Sequence, residues 1–248
     1  MKTTIKGNAF AKIDVGKVRM TNEDQAISLT SPQGYRLLCV CDGMGGHQKG
    51  DYASKLAADI LCEEFEKIGK FLSVIFVRHW VFRTIKAINS AIYNEAQKSE
   101  IYHNMGTTLV LAFFYKDKIV TANIGDSRIY IVENDQIKKM TEDQTYVDYM
   151  VRTGKMTEEE AKVSEKRHVL LNAIGIFPSV SMDLRTIQNE KKPVLLCSDG
   201  LYNNASEREI HAVLRTKETP SQKVESLIKI ANTNGGSDNI GIAYWEAM

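Results

Sequence analysis

Short runs of apolar and β-branched residues recur along the chain, at Tyr35–Cys41, Thr107–Tyr115, Lys118–Ile124, Arg128–Val132, Pro193–Cys197 and Asn239–Trp245. Runs of this length bounded by polar residues predict strands. Lys116-Asp117 and Asn134-Asp135 fall between neighbouring runs and predict hairpin turns. Two longer stretches change period. In Tyr52–Ile68 the residues Ala53, Leu56, Ala57, Ile60, Leu61, Phe65 and Ile68 recur at three and four, and Val77, Trp80, Val81, Ile85, Ile88 and Ile92 form a second stripe. Each predicts a helix with one apolar face. Ser206 with Glu209, and Thr157 with Glu160, have the spacing of capping boxes, and Pro220 opens a helix that runs to Asn232. Hairpins rather than strict βαβ alternation predict an α+β fold, a sandwich of sheets flanked by helices.

The 248 residues would suit one large domain or two small ones. No repeat, Pro-rich linker or block of like charge divides them, which favours a single domain over residues 1–248. Lys and Arg number 32 against 31 Asp and Glu, a net charge of +1. That balance gives no electrostatic footprint for nucleic acid or an anionic membrane. The four cysteines form no CxxC pair, and three of them lie in apolar runs, as small buried thiols in a reducing compartment do. The N-terminus has no apolar h-region, and the longest apolar stretch, around Phe71–Val77, is far short of the ~20 residues that span a bilayer. A cytoplasmic protein is expected.

Candidate chemistry lies in where certain aspartates fall. Arg36-Leu-Leu-Cys-Val-Cys-Asp42-Gly43 is an apolar strand ending in Asp, and Pro193-Val-Leu-Leu-Cys-Ser-Asp199-Gly200 repeats the arrangement. Asp126 follows the run from Val120, and Asp238 precedes the last one. Any one of these could simply be a turn residue at a strand end. Four together suit a convergent carboxylate cluster, which repels itself without cations and whose oxygen donors fit hard ions such as Mg²⁺ or Mn²⁺. Arg19, Glu23 and Asp24 add two acids and a fork-shaped donor that matches phosphate oxygens, although an exposed loop salt bridge would use the same residues. Carboxylates, metal and Arg together suggest phosphoryl chemistry.

These segments resemble the metal-dependent PPM/PP2C-type serine/threonine protein phosphatases in their compact bacterial form. The resemblance rests on Arg19-Met-Thr-Asn-Glu-Asp24, Asp42-Gly-Met-Gly-Gly-His47, Met105-Gly-Thr-Thr108, Ile124-Gly-Asp-Ser-Arg-Ile-Tyr130, Leu196-Cys-Ser-Asp-Gly-Leu201 and Gly236-Ser-Asp-Asn-Ile240, in family order over nearly the whole chain. It implies a four-layer α-β-β-α sandwich, two antiparallel sheets between helix pairs, with a dinuclear metal site at one end and a flap over about residues 144–180. It further implies that Asp42 bridges two Mn²⁺ or Mg²⁺ ions, with Asp199 and Asp238 on the first and the Gly43 carbonyl on the second. Glu23 would support the second ion, with Asp24 outside it. Asp126, with Asp199, would hold a third, weaker ion, and Arg19 would bind phosphate. A water or hydroxide between the metals would attack phosphorus directly.

The chain departs from the pattern of eukaryotic members at Met44, where they carry a His after Asp-Gly. His47 lies three residues later and is the candidate proton donor. His79, His103, His168 and His211 have no carboxylate companion in sequence and read as surface or packing residues. No Cys-x5-Arg nucleophile, phosphate-binding G-x4-G-K-[ST] loop or HExxH zinc motif occurs. Phosphorylated Ser/Thr proteins are the implied substrates, with an opposing Ser/Thr kinase and a monomeric enzyme. Two alternatives would leave the same motifs: a regulatory docking module of this fold with little turnover, and a phosphatase of small phosphate esters.

Overall fold

The computed structural model describes residues 4–45, 48–98 and 100–248. One sheet has the order β1 (Gly7–Asp14), β11 (Ile240–Ala247), β10 (Val194–Cys197), β7 (Arg128–Val132), β8 (Ile137–Lys139). The other runs β2 (Asp24–Thr30), β3 (Arg36–Met44), β5 (Leu109–Tyr115), β6 (Lys118–Ile124), β9 (Asp183–Gln188), with β4 (Gly106–Thr107) paired to the end of β3. Every pairing is antiparallel.

The period of two in β3 builds the layers. Leu38 and Val40 point inward to meet Val110, Ala112 and Phe114 of β5, Ile129, Leu196, Ala243 and Trp245, so both sheets share one buried core. Leu37, Cys39 and Cys41 point the other way, into α1 (Gln48–Glu66) and α2 (Val74–Lys98), where Ala53, Leu61, Val77, Val81, Ile85 and Ile88 are buried. On the outer face of the first sheet, Tyr130, Leu195, Ile242 and Tyr244 pack with Ile210 and Leu214 of α6 (Glu207–Leu214) and Leu227 of α7 (Pro220–Thr233). The result is the expected α-β-β-α sandwich.

Both hairpin turns form where expected. Lys116 takes a left-handed φ of 53° between β5 and β6, and the Glu133 amide closes on the Gln136 carbonyl between β7 and β8. Both capping boxes are present, on α6 and on the short α4 (Glu158–Val163). Strands β1, β2 and β9 carry no continuous apolar run, because each is only partly buried along its length. Helices α3 (Tyr146–Arg152) and α5 (Asp199–Tyr202) are too short for a helical period to show.

Candidate active site

At one end of the sandwich the strand ends and connections converge on a cavity of ≈ 350 Å³. Its walls include Arg19, Glu23, Asp42, Gly43, Asp126, Asp199 and Asp238, the residues singled out from sequence, together with Thr108, Leu170, Asn239 and His168. Each acidic residue arrives on a different piece of backbone. Asp42 lies near the end of β3 and is directly opposite Asp24 of β2. Asp126 sits in the connection that carries the chain from one sheet to the other, between β6 and β7. Asp199 opens α5 immediately after β10, and Asp238 precedes β11.

The two Asp-Gly pairs are not ordinary turns. Neither Gly43 nor Gly200 has a positive φ. A Cβ on Gly43 would stand 2.1 Å from the Gly50 carbonyl oxygen, and one on Gly200 would stand 1.9 Å from that of Asn239. Glycine follows each aspartate because a neighbouring backbone passes against it. The first contact brings the start of α1 onto the loop bearing Glu23, whose carbonyl accepts the Gly43 amide at 3.0 Å.

Hydrogen bonds fix the backbone of the cluster. The Asp42 amide donates to Thr108 Oγ1 at 3.0 Å, and the Asp42 carbonyl accepts from Thr107 Oγ1 at 2.9 Å and from the Thr108 amide at 2.8 Å. Asn239 ties down the segment bearing Arg19 and Glu23. Its Nδ2 donates to the Val15 and Thr21 carbonyls, each at 2.9 Å, and its Oδ1 accepts the Glu23 amide at 2.9 Å. Ser198 Oγ donates to Asp24 Oδ2 at 2.6 Å, and Asn203 Nδ2 to Asp199 Oδ2 at 3.1 Å. Tyr202 reaches from α5 to Asp126, donating its hydroxyl to the Asp126 carbonyl at 3.1 Å. The Arg128 guanidinium covers the Tyr202 ring at 3.4 Å and is itself held by Asp143 at 2.6 and 2.9 Å.

The electrostatics are those of like charges forced together. Burial pushes the Asp42 carboxyl well above the ordinary range, and Asp24, Asp199, Asp126 and Asp238 add to it. Burial does the same to Asp199, reinforced by Asp126 and Asp238. Asp126 is carried to about 6 by burial and Asp143, and Asp24 to about 7 by burial despite the hydrogen bond from Ser198. Arg19 is the cation among them, with its Nη2 2.8 Å from Asp238 Oδ2 and half of its side chain exposed. Partial burial works against its charge, but Asp238, Glu23 and Asp199 carry its pKa above the usual value.

Among the described residues no three His, Cys, Asp or Glu side chains are drawn into a ready-made coordination sphere. The carboxylates nonetheless line one cavity. Their oxygen-only donor set, and the raised proton affinity of Asp42, Asp126 and Asp199, fit hard divalent cations, whose charge would replace the protons those three groups otherwise favour. His47 lies outside the described residues.

His168 corrects the sequence reading. It does have a carboxylate companion: its Nδ1 is 3.9 Å from Asp199 Oδ2, and the side chain lines the cavity. Burial, Arg167 and Arg19 hold its pKa below the usual histidine value. The segment 144–180 delivers it, through hydrogen bonds from the Tyr146 amide to the Val169 carbonyl and from the Leu171 amide to the Gln144 carbonyl, each 2.8 Å. A groove of ≈ 850 Å³ continues from the cavity under this segment, sharing Asp126, His168 and Asp199 and adding Arg152, Lys162, Arg167 and Glu207. Lys162 and Arg167 are exposed and stand on the wall of this groove. Several supporting residues adjoin the quoted aspartates, as Asn239 does Asp238 and Ser198 does Asp199, whereas nothing local marks Tyr202.

The sequence model of protein phosphatase 2C matches residues 17–240. A serine/threonine phosphatase, stp, of Listeria innocua is 35% identical over 240 residues, 96% of this chain and 95% of the relative. The crystal structure of the serine/threonine phosphatase Stp1 from Staphylococcus aureus superposes with a TM-score of 0.93 at 32% identity, covering 100% of this chain and 98% of that one. A structure of the catalytic domain of the serine threonine protein phosphatase PstP in complex with two manganese ions gives a TM-score of 0.84 at 30% identity, over 98% of each chain. The sandwich, the acidic cavity at its end and these likenesses agree: the chain belongs to the protein phosphatase 2C family.

Proposed function

We propose that this protein is a serine/threonine phosphatase that hydrolyses phosphoserine and phosphothreonine in proteins and requires Mn²⁺ or Mg²⁺. One observation carries the reading: Asp42, Asp126, Asp199 and Asp238 line one cavity, where burial and neighbouring carboxylates push Asp42, Asp126 and Asp199 towards the protonated state, beside an arginine whose side chain is half exposed. Asp42, Asp199, Asp238, Glu23 and the Gly43 carbonyl would hold two ions, and Asp126 with Asp199 a third. When bound, such ions supply Lewis acidity, neutralising phosphoryl charge and making water acidic enough to serve as nucleophile.

The chain's own groups do the rest. Arg19 stands at the mouth of the cavity, where its Nη atoms can exchange Asp238 for phosphoryl oxygens and stabilise charge as the alkoxide leaves. No thiol is suited to form a phosphoenzyme. None of the four cysteines lines the cavity, and burial pushes Cys197 up to about 12 and Cys39 well above its ordinary value. Hydrolysis by water is the consistent route, with His47 as the proton donor the resemblance offers. The groove under 144–180 would take the peptide flanking the phosphoresidue, so this segment acts as the flap of one catalytic domain spanning residues 1–248. Four free thiols, with the Cys39 and Cys41 thiols hydrogen-bonded at 3.7 Å, suit the reducing cytoplasm. Among the described residues no helix is long and apolar enough to cross a membrane.

Phosphate release from phosphoserine, phosphothreonine and phosphotyrosine peptides, with Mn²⁺ and with a chelator, tests the reading. Turnover of the first two peptides that disappears on chelation is the expected outcome. A docking module of the same fold would give no release with any peptide, and a small-ester phosphatase would cleave p-nitrophenyl phosphate while sparing the peptides.

A further inference from the structure

The apolar stretch around Phe71–Val77 is only partly used by the core. Val77, Val81, Ile85 and Ile88 of α2 are fully buried against the sheet, as their spacing requires. Leu72, Ile75 and Phe76 are not: they are 81%, 71% and 52% exposed. Leu72 and Phe76 line a concave groove of ≈ 430 Å³ with Phe71 and Trp80. Its wall is rigid, because Trp80 packs edge-on against Phe113 of β5 at 5.6 Å and against Phe71 at 6.5 Å. Exposed apolar side chains gathered around a preformed hollow mark a surface that is covered by something else.

The rim says what covers it. Lys70 and Arg83 flank the hollow, both exposed, and neither forms an ion pair among the described residues. The one carboxylate on the rim, Glu64, is already matched by Lys67 at 3.3 Å. The uncompensated charge is therefore positive. A second copy of this chain in a two-fold contact would bring two positively charged rims together. An anionic bilayer would meet the exposed Glu63 on the same end of α1 and could not fill a concave hollow. We infer that the groove between the end of α1 and the start of α2 is a docking site for a segment of a partner protein that carries bulky apolar side chains flanked by carboxylates.

The site is separate from the chemistry. Helix α1 starts at the acidic cavity, where Gly50 touches Glu23 and Gly43, and its Glu64 lies on the groove rim. At 1.5 Å per residue the two are roughly 20 Å apart. A partner held by the groove would keep a phosphorylated residue elsewhere on its chain close to the cavity, raising its effective concentration without any new contact at the phosphate.

Two fluorescent peptides of about 15 residues, long enough for a helical turn pattern, test this on the full chain: both carry Leu and Phe at matching positions, one with Glu flanks and one with Lys flanks. The Glu peptide is expected to bind at least tenfold more tightly than the Lys peptide. Arg83→Glu, which leaves Lys70 against one new carboxylate, should abolish that preference, and Phe76→Ser should weaken both peptides, while thermal midpoint and hydrolysis of p-nitrophenyl phosphate stay at the wild-type level. Because binding is read directly, a failure of turnover leaves the result intact. Equal affinity for the two peptides, unchanged preference in Arg83→Glu, binding to phosphatidylglycerol vesicles in place of the peptide, or dimerisation abolished by Phe76→Ser would each overturn the inference.

Discussion

The floor of the acidic cavity and the segment that covers it are built differently. On the floor, Asp42 and Asp199 stand at the ends of fully buried strand runs, and their backbones are pinned by Thr107, Thr108 and the close passage of Gly50 and Asn239. The covering segment, 144–180, has two short helices, α4 without a buried residue, and reaches the floor through His168, which is about half exposed. The charged groups of the floor stand on or directly beside buried strands, whereas His168 stands on an excursion whose helices bury few residues. The comparison predicts that lesions in the floor abolish chemistry, whereas lesions in the cover change selectivity.

The largest effect should come from Asp42→Asn. We expect turnover of a phosphothreonine peptide to fall by about 10³-fold or more, since loss of even a single electrostatic stabiliser costs on that order. The metal-free thermal midpoint should rise in the same variant, because a self-repelling charge has gone; a lower midpoint would contradict the strained floor. Arg19→Ala comes next, with a loss of about 10²-fold in kcat/KM measured by steady-state kinetics. Tyr202→Phe removes only the hydroxyl that ties α5 to Asp126, and Mn²⁺ affinity measured by calorimetry should drop by about tenfold, as for other groups that orient ligands. His168→Ala belongs to the cover and should have the smallest effect. A change of about threefold, mostly in KM for peptides, with p-nitrophenyl phosphate hydrolysis nearly unaffected, would fit a substrate-side role.

Floor and cover should also part in their pH behaviour. Asp126 and Asp24 have folded-state pKa values of about 6 and about 7, raised from 3.8. Between those limits the folded protein binds more protons than the unfolded chain, so stability falls as pH rises through the window and is recovered as pH falls. The metal-free thermal midpoint should therefore increase from pH 8 to pH 5, and Asp126→Asn should flatten the slope. Substitutions of Lys162 or Arg167 in the cover should leave it unchanged.

The same contrast governs how much could be read from sequence. Asp42 and Asp199 announce themselves because each ends a run of buried apolar residues, and burial leaves a one-dimensional signature. The strands they end on match β3 and β10 to within a few residues. Strand β2 opens with Asp24 yet shows no run, because its face is only half covered. His168 gave no local sign, since its companion Asp199 is 31 positions away and meets it only through the backbone pairing of the segment around Thr145 and Leu170. Tyr202 is similar: its ring and hydroxyl matter through Arg128 and Asp126, on the connection between the two sheets. Contacts made by folding, rather than by periodicity, were illegible in both cases.

The central claim is that the carboxylate cluster is a cation site whose charge is unbalanced without metal. Calorimetric titration of Mn²⁺ into the chelator-treated protein near pH 7, in two buffers of different ionisation enthalpy, addresses it most directly. The account predicts binding of at least two ions with net proton release, as the protonated carboxyls of the floor give up protons to the metal, and loss of that binding in Asp42→Asn. Wild-type protein that takes up no Mn²⁺, or an Asp42→Asn isotherm that overlays it, would contradict the claim.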